Sequence, residues 1–190
     1  MRITINIDGG SRGNPGPGAA AYVIKDSGGK ILSQEGHFIA HCTNNQAEYT
    51  ALRLALIKAA ELGATELDII SDSLLLVKQY LGEYKIKHPD LAARMSEIRS
   101  LAKPFHIHIR HVLRHLNKEP DALANKAMDL KQSVGYNPIQ NLHPFSAASE
   151  EKENTVNGVR VEPVRREETK SAATAKKKQN SVQPSLFDGF

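Results

Sequence analysis

Apolar and polar residues alternate from the start of the chain. Ile3, Ile5 and Ile7 are separated by Thr4, Asn6 and Asp8, the period-two pattern of a strand with one buried face. The turn-rich stretch GGSRGNPGPG at 9–18 excludes helix, while AAAYVIK (19–25) and KILSQEGHF (30–38), parted by DSGG, predict a hairpin. The period then changes. Thr43 opens a long helix running through AEYTALRLALIKAAELG, with Gln46 in the capping-box position and Gly63 as its stop signal. TELDIIS predicts a strand, SLLLVKQYL a short helix and HPDLAARMSEIRSLA another. FHIHIRHV (105–112) alternates again, and a last helix spans about 118–131. The order βββαβααβα predicts an α/β fold, a mixed sheet flanked by helices.

After about residue 145 this patterning fades. No aromatic residue occurs between Phe145 and Phe187, and Glu, Lys, Ser, Thr and Ala dominate. Such a segment buries too little apolar surface to offset the entropy of ordering it. The expected organisation is a folded domain at 1–131, a disordered, flexible linker at 132–182 and a short linear motif at 183–190.

Composition narrows the picture modestly. Hydrophobic residues make up 40% of the 190 positions with only 5% aromatic and no Trp, so the core must be aliphatic. The net charge of +4 divides evenly between residues 1–130 and 131–190, a mild bias compatible with nucleic acid. The single Cys42 excludes an intrachain disulfide framework and a Cys-rich zinc site. MRITINID carries no signal-peptide pattern, and no apolar run approaches membrane-spanning length. A soluble cytoplasmic protein, monomeric and without a membrane partner, is the expectation.

Four acids then change the reading. Asp8 closes the first strand, Glu48 sits one turn into the helix opened by TNNQ, Asp72 ends TELDIIS, and Asp121 opens EPDALANKAMD. Carboxylates so placed can converge at one edge of a sheet, and such a cluster persists only if cations neutralise it. The pattern points to a metal-dependent nuclease.

DGGSRGNPGPGAAAYVI, TNNQAEYTAL, IISDS and NKEPDALANKA resemble the four signature blocks of ribonuclease H type 1, in that family's order and spacing over about residues 1–130. The short loop RHLNKEPD is similar to that of a compact, archaeal-like subgroup. The resemblance implies a five-stranded mixed sheet with helices, and cleavage of the RNA strand of RNA–DNA hybrids. It implies two Mg²⁺ ions, with Mn²⁺ as a substitute. Asp8 would bridge both, Glu48 and Asp72 would hold one, and Asp121 would help hold the other near the attacking water. Hard cations of this kind take oxygen ligands.

The residues around the acids suit such a substrate. The Gly-rich turn at Asn14 admits close approach of a sugar–phosphate chain, and it lacks the GK[ST] ending of a nucleotide P-loop. Asn14, Asn44 and Gln46 offer amides suited to 2′-hydroxyls. Thr43 and Asn44, at a helix N-terminus, suit a phosphate of the DNA strand. Turn formation and helix capping account for the same residues, and the two uses can coexist.

Two features depart from the family pattern. The basic, Trp-bearing helix and loop that many members carry is replaced by the short YLGEYKIKHPDLAARM, which implies weaker hybrid affinity. The flexible His-bearing loop before the last Asp is also missing. His115 is the candidate to stand in for it, or else an exposed His at a strand end. Asn117 either caps the last helix or contacts the active site. His106 and His108 share one face of a strand and imitate a metal pair, but with no third ligand evident an exposed sheet face is the simpler reading.

In the tail, Gln183, Ser185, Leu186 and Phe187 resemble the bacterial sliding-clamp-binding pentapeptide, with Pro184 at its second position. The implied partner is a replication sliding clamp, and a tail folded back on the domain is the alternative. For the domain itself two rivals stand beside the hybrid nuclease: a catalytically weak hybrid-binding module, and a related metal nuclease acting on branched DNA.

Overall fold

The alternation at the start of the chain becomes strand β1 (Arg2–Ser11), whose Ile3, Ile5 and Ile7 are fully buried on one face. The computed structural model describes residues 1–136. β2 (Gly16–Asp26) and β3 (Ile31–Cys42) complete an antiparallel meander with β1. These strands outrun their sequence patterns, because Gly9 and Gly10 continue the ladder opposite Ala20 and Ala19 and leave only four residues for the turn. Helix α1 (Asn44–Glu61) follows. Its capping box is present: Thr43 Oγ1 accepts from the Gln46 amide at 3.2 Å, and Gln46 Oε1 accepts from the Thr43 amide at 2.9 Å.

β4 (Glu66–Ser71), α2 (Leu74–Tyr80), α3 (Pro89–Ala102), β5 (His106–His111), a 3-10 turn at Arg114–Leu116 and α4 (Lys118–Leu130) come next. β4 pairs in parallel with both β1 and β5, so the sheet runs β5-β4-β1-β2-β3-β6. On one face, residues of α1, α2 and α3, among them Tyr49, Leu52, Leu76 and Met95, pack with Ile3, Ile5, Ile7, Leu67 and Ile69 into the main core. On the other, Ala19 and Ala21 of β2 let α4 approach through Ala124, Ala127 and Met128.

The sixth strand corrects the expected five. β6 (Val134–Tyr136) pairs with β3 at Gln34–Gly36, within the stretch that the sequence assigned to the start of the linker. Three residues are too few to show a period, so composition hid it. Gly135 is required there, since a Cβ would overlap the Gln34 carbonyl oxygen. The remainder of the expected linker and the motif at 183–190 lie outside the described residues.

Candidate active site

Parallel pairing of β1 with β4 matches Ile7 to Ser71, which sets Asp8 of β1 beside Asp72, the residue just past the end of β4. Glu48 reaches them from α1 because β1 carries no side chain at Gly9, where a Cβ would overlap the Glu48 amide nitrogen and the Ala47 carbonyl carbon. One carboxylate oxygen from each of Asp8, Glu48 and Asp72 lies within 4.8 Å of the others. Asp121, on the first turn of α4, lines the same cleft of about 470 Å³ but falls outside that tight group, and its Oδ1 accepts from Arg114 Nη2 at 2.6 Å.

The electrostatics show a site short of positive charge. Burial, then the charges of Asp72 and Asp121, push the Asp8 carboxyl up to about 7, with Arg114 opposing them. Glu48 is raised well above its usual range, by burial first and then by Asp8 and Asp72, against Arg114 and the Gly9 backbone amide. Glu48 Oε2 is buried with no hydrogen-bond partner among the described residues. An orphaned buried oxygen beside two further carboxylates fits a hard, oxygen-ligated divalent cation, and nothing in the donor set suits a softer one.

Arg114 is the cation that sequence reading missed. Arg114 and His115 are both exposed on the 3-10 turn, but Arg114 lines the cleft, whereas His115, the candidate for that loop, lies outside the lining. The signal was available in its position seven residues before Asp121, but a lone Arg in a polar loop carries no period. Because the guanidinium lowers both Asp8 and Glu48, Arg114→Gln should move their protonation to higher pH in metal-free protein, read by carboxyl NMR titration. An unmoved titration would show that Arg114 does not act on this cluster.

Asn117 occupies the cap position of α4, yet its side chain makes no cap bond. It is 1% exposed. Its Nδ2 donates to the Ile7 carbonyl at 2.8 Å and to Asp72 Oδ1 at 3.1 Å, and its Oδ1 accepts from Asn6 Nδ2 at 3.0 Å. So placed, it orients Asp72 from below and has no face free for substrate.

The other expected contacts divide in two. Asn44 lines the carboxylate cleft; its Oδ1 accepts from the Ser11 amide at 2.7 Å and hydroxyl at 3.0 Å. Asn14 Oδ1 accepts from the Asn44 amide at 3.0 Å, tying the Gly-rich turn to α1. These bonds engage the amide oxygens, and among the described residues neither Nδ2 group has a hydrogen-bond partner. Asn14, Thr43 and Gln46 line an adjacent groove with Asn45, His88 and Leu91. There the Thr43 and Gln46 side chains serve the capping box, and Gln46 Nε2 also donates to Asp90 Oδ2 at 2.9 Å. A larger concavity of about 550 Å³ lies between α2, the 82–86 segment and α3, but it holds no carboxylate, so chemistry rather than size places the site.

A family model described as reverse transcriptase-like matches residues 6–127. The chain is 42% identical over 129 residues to Ribonuclease HI of Halobacterium salinarum, a match covering 67% of this chain and 65% of that one. It is 44% identical over 131 residues to a bifunctional protein of Mycobacterium tuberculosis, covering 68% of this chain but 36% of the relative. The chain thus spans about a third of the length of the mycobacterial relatives it matches. Among solved structures, LC11-RNase H1 in complex with an RNA/DNA hybrid superposes with a TM-score of 0.65 at 36% identity, covering 68% of this chain and 98% of that one.

Proposed function

Because this chain belongs to the ribonuclease H family, through its reverse-transcriptase-like domain at residues 6–127, we propose that it is an endonuclease hydrolysing the RNA strand of RNA–DNA hybrids by a two-metal mechanism. The observation that carries the reading is the convergence of Asp8, Glu48 and Asp72 around the unpartnered Glu48 Oε2. Divalent cations bound there, Mg²⁺ or Mn²⁺, supply an activated water and charge to neutralise the phosphate. Asp8, Glu48 and Asp72 would hold them, and Asp121 would join the set. Asn117 keeps Asp72 turned into the cleft. Arg114 offsets negative charge at the Asp121 side. The free amide nitrogens of Asn14 and Asn44 suit the 2′-hydroxyls by which RNA is told from DNA.

The test is a panel of end-labelled substrates with Mg²⁺ or Mn²⁺: RNA–DNA hybrid, duplex DNA, duplex RNA and a DNA four-way junction. Cleavage confined to the RNA of the hybrid is expected. Junction cleavage would favour the branched-DNA nuclease, and hybrid binding without cleavage the silent module.

The tail supplies a finer proposal. Gln183, Ser185, Leu186 and Phe187 dock on a replication sliding clamp, and tethering raises the local concentration of the nuclease to about mM. That would offset the missing basic handle. Leu186→Ala with Phe187→Ala should abolish co-migration with the clamp and leave hybrid cleavage unchanged; equal clamp binding by that variant would dispose of the idea. The proposed setting is cytoplasmic and the working unit a monomer. Among the described residues no helix is long and apolar enough to cross a membrane.

A further inference from the structure

The sheet face opposite α1 carries a second group of metal-ligating side chains. On this face α4 lies across β1, β2 and β3. At the β4–β5 corner, His106 and His108 are exposed. The parallel register sets His106 opposite Glu66 and His108 opposite Asp68. Side chains alternate along a strand, so two imidazoles stand across from two carboxylates on one face. All four residues, with Arg2, line a single concavity of about 320 Å³.

Within it, His108 Nδ1 lies 3.6 Å from Asp68 Oδ1. Two donors bound tetrahedrally to one zinc ion at about 2.0–2.1 Å stand roughly 3.3 Å apart, so this pair is already near ligand spacing. The other oxygen of Asp68, Oδ2, accepts from Arg2 Nη2 at 2.6 Å and Nε at 3.0 Å. That fork orients the carboxylate with Oδ1 toward His108, the kind of outer-shell support that metal ligands have. Residues two apart on a strand are roughly 6.7 Å apart, so His106 and His108 flank an ion held between them. Of the four, His108 and Asp68 stand near ligand spacing, while His106 and Glu66, exposed and lining the same concavity, would complete the set by turning about their own side-chain bonds.

We propose that His106, His108 and Asp68, with Glu66 as a fourth donor, form a divalent-metal site of the zinc class on this open face. Its mixed imidazole and carboxylate set selects Zn²⁺ over Mg²⁺, which takes oxygen shells. The site lies four residues back along β4 from Asp72, roughly 13 Å, and shares no ligand with the carboxylate cleft. In the sequence the histidine pair lacked a third ligand; the pairing of β5 with β4 supplies it. An ion held there joins the two strands that lead into Asp72 and Arg114.

The test is calorimetric titration of the full chain, stripped of metal, with Zn²⁺ in millimolar Mg²⁺ added to compete for the carboxylate cleft. One zinc ion per chain is expected. The double variant His106→Gln, His108→Gln should weaken it by at least about tenfold, since outer-shell changes alone cost about 10–100-fold. Asp68→Asn should weaken it in the same direction with both histidines intact. Zn²⁺ should raise the melting temperature of the wild type and not of the double variant, the signature of a ligand bound only by the folded state. Unchanged zinc affinity and stoichiometry in the double variant, or no zinc site in the wild type under Mg²⁺, would overturn the assignment.

Discussion

Asp8→Asn is expected to reduce hybrid cleavage at least about a thousandfold, the equivalent of about 4 kcal/mol of lost transition-state stabilisation, while the metal-free protein becomes no less stable. Both halves follow from the surroundings of Asp8. It is 6% exposed and shares the cleft with Glu48 and Asp72, so its charge is useful only to a cation and costly without one. Asparagine keeps the shape and removes the charge. The pH dependence has a definite sign. The Asp8 carboxyl moves from its ordinary 3.8 to about 7 on folding, so between those values the native state binds more protons than the unfolded chain. Metal-free wild type should therefore lose stability as pH rises from about 4 to about 7, by a few kcal/mol, with Glu48 adding in the same direction. Asp8→Asn should flatten that slope, and Mg²⁺ should restore stability at the upper end. Denaturant melts at pH 5 and pH 7.5, with and without Mg²⁺, decide the matter. A metal-free wild type more stable at the higher pH would contradict the description of this site.

The second large effect needs no charge. Gly9→Ala places a Cβ where the Glu48 amide and the Ala47 carbonyl carbon already stand, so either β1 or the N-terminal half of α1 must move. Both obstacles are backbone, and neither can turn aside as a side-chain tip would. The expected cost is about 3 kcal/mol or more, at the upper end of overpacking. It should be read as a fall in the urea midpoint at unchanged slope. Where the variant remains folded, hybrid cleavage should drop about a hundredfold, because a displacement near 1 Å at a reacting centre is that damaging. Ala at this position with wild-type midpoint and wild-type rate would show that α1 does not rely on the close approach.

How far these features are legible in the sequence depends on the distance over which they are encoded. Thr43 and Gln46 announce α1 within four residues, and the Ile3–Ile5–Ile7 alternation announces β1, because capping and pleating are local physics. Asp72 could be placed at a strand end for the same reason, whereas Asp8, expected to close β1, lies three residues inside it because the glycines that follow stay paired with β2. What escaped is what depends on pairing between distant segments. β6 is too short to carry a pattern and exists because Gly135 fits against β3. Asn117 reads locally as a cap, but the fold delivers its amide to Ile7 and Asp72, more than forty residues away in sequence. Arg114 and His115 are adjacent and equally plausible as letters; the 3-10 turn sends the first onto Asp121 at the cleft and leaves the second outside the lining. The histidines of β5 gained carboxylate neighbours only through the register with β4.

The most direct measurement is the rate of RNA-strand cleavage in a labelled RNA–DNA hybrid as Mg²⁺ is raised from none, for the wild type and for Asp72→Asn. The carboxylate cluster predicts no cleavage without Mg²⁺, saturable cleavage with it in the wild type, and loss of at least about a thousandfold in the variant at every Mg²⁺ concentration. Cleavage by the wild type without divalent cations, or wild-type rates in Asp72→Asn, would contradict the assignment of Asp8, Glu48 and Asp72 as a metal-dependent active site.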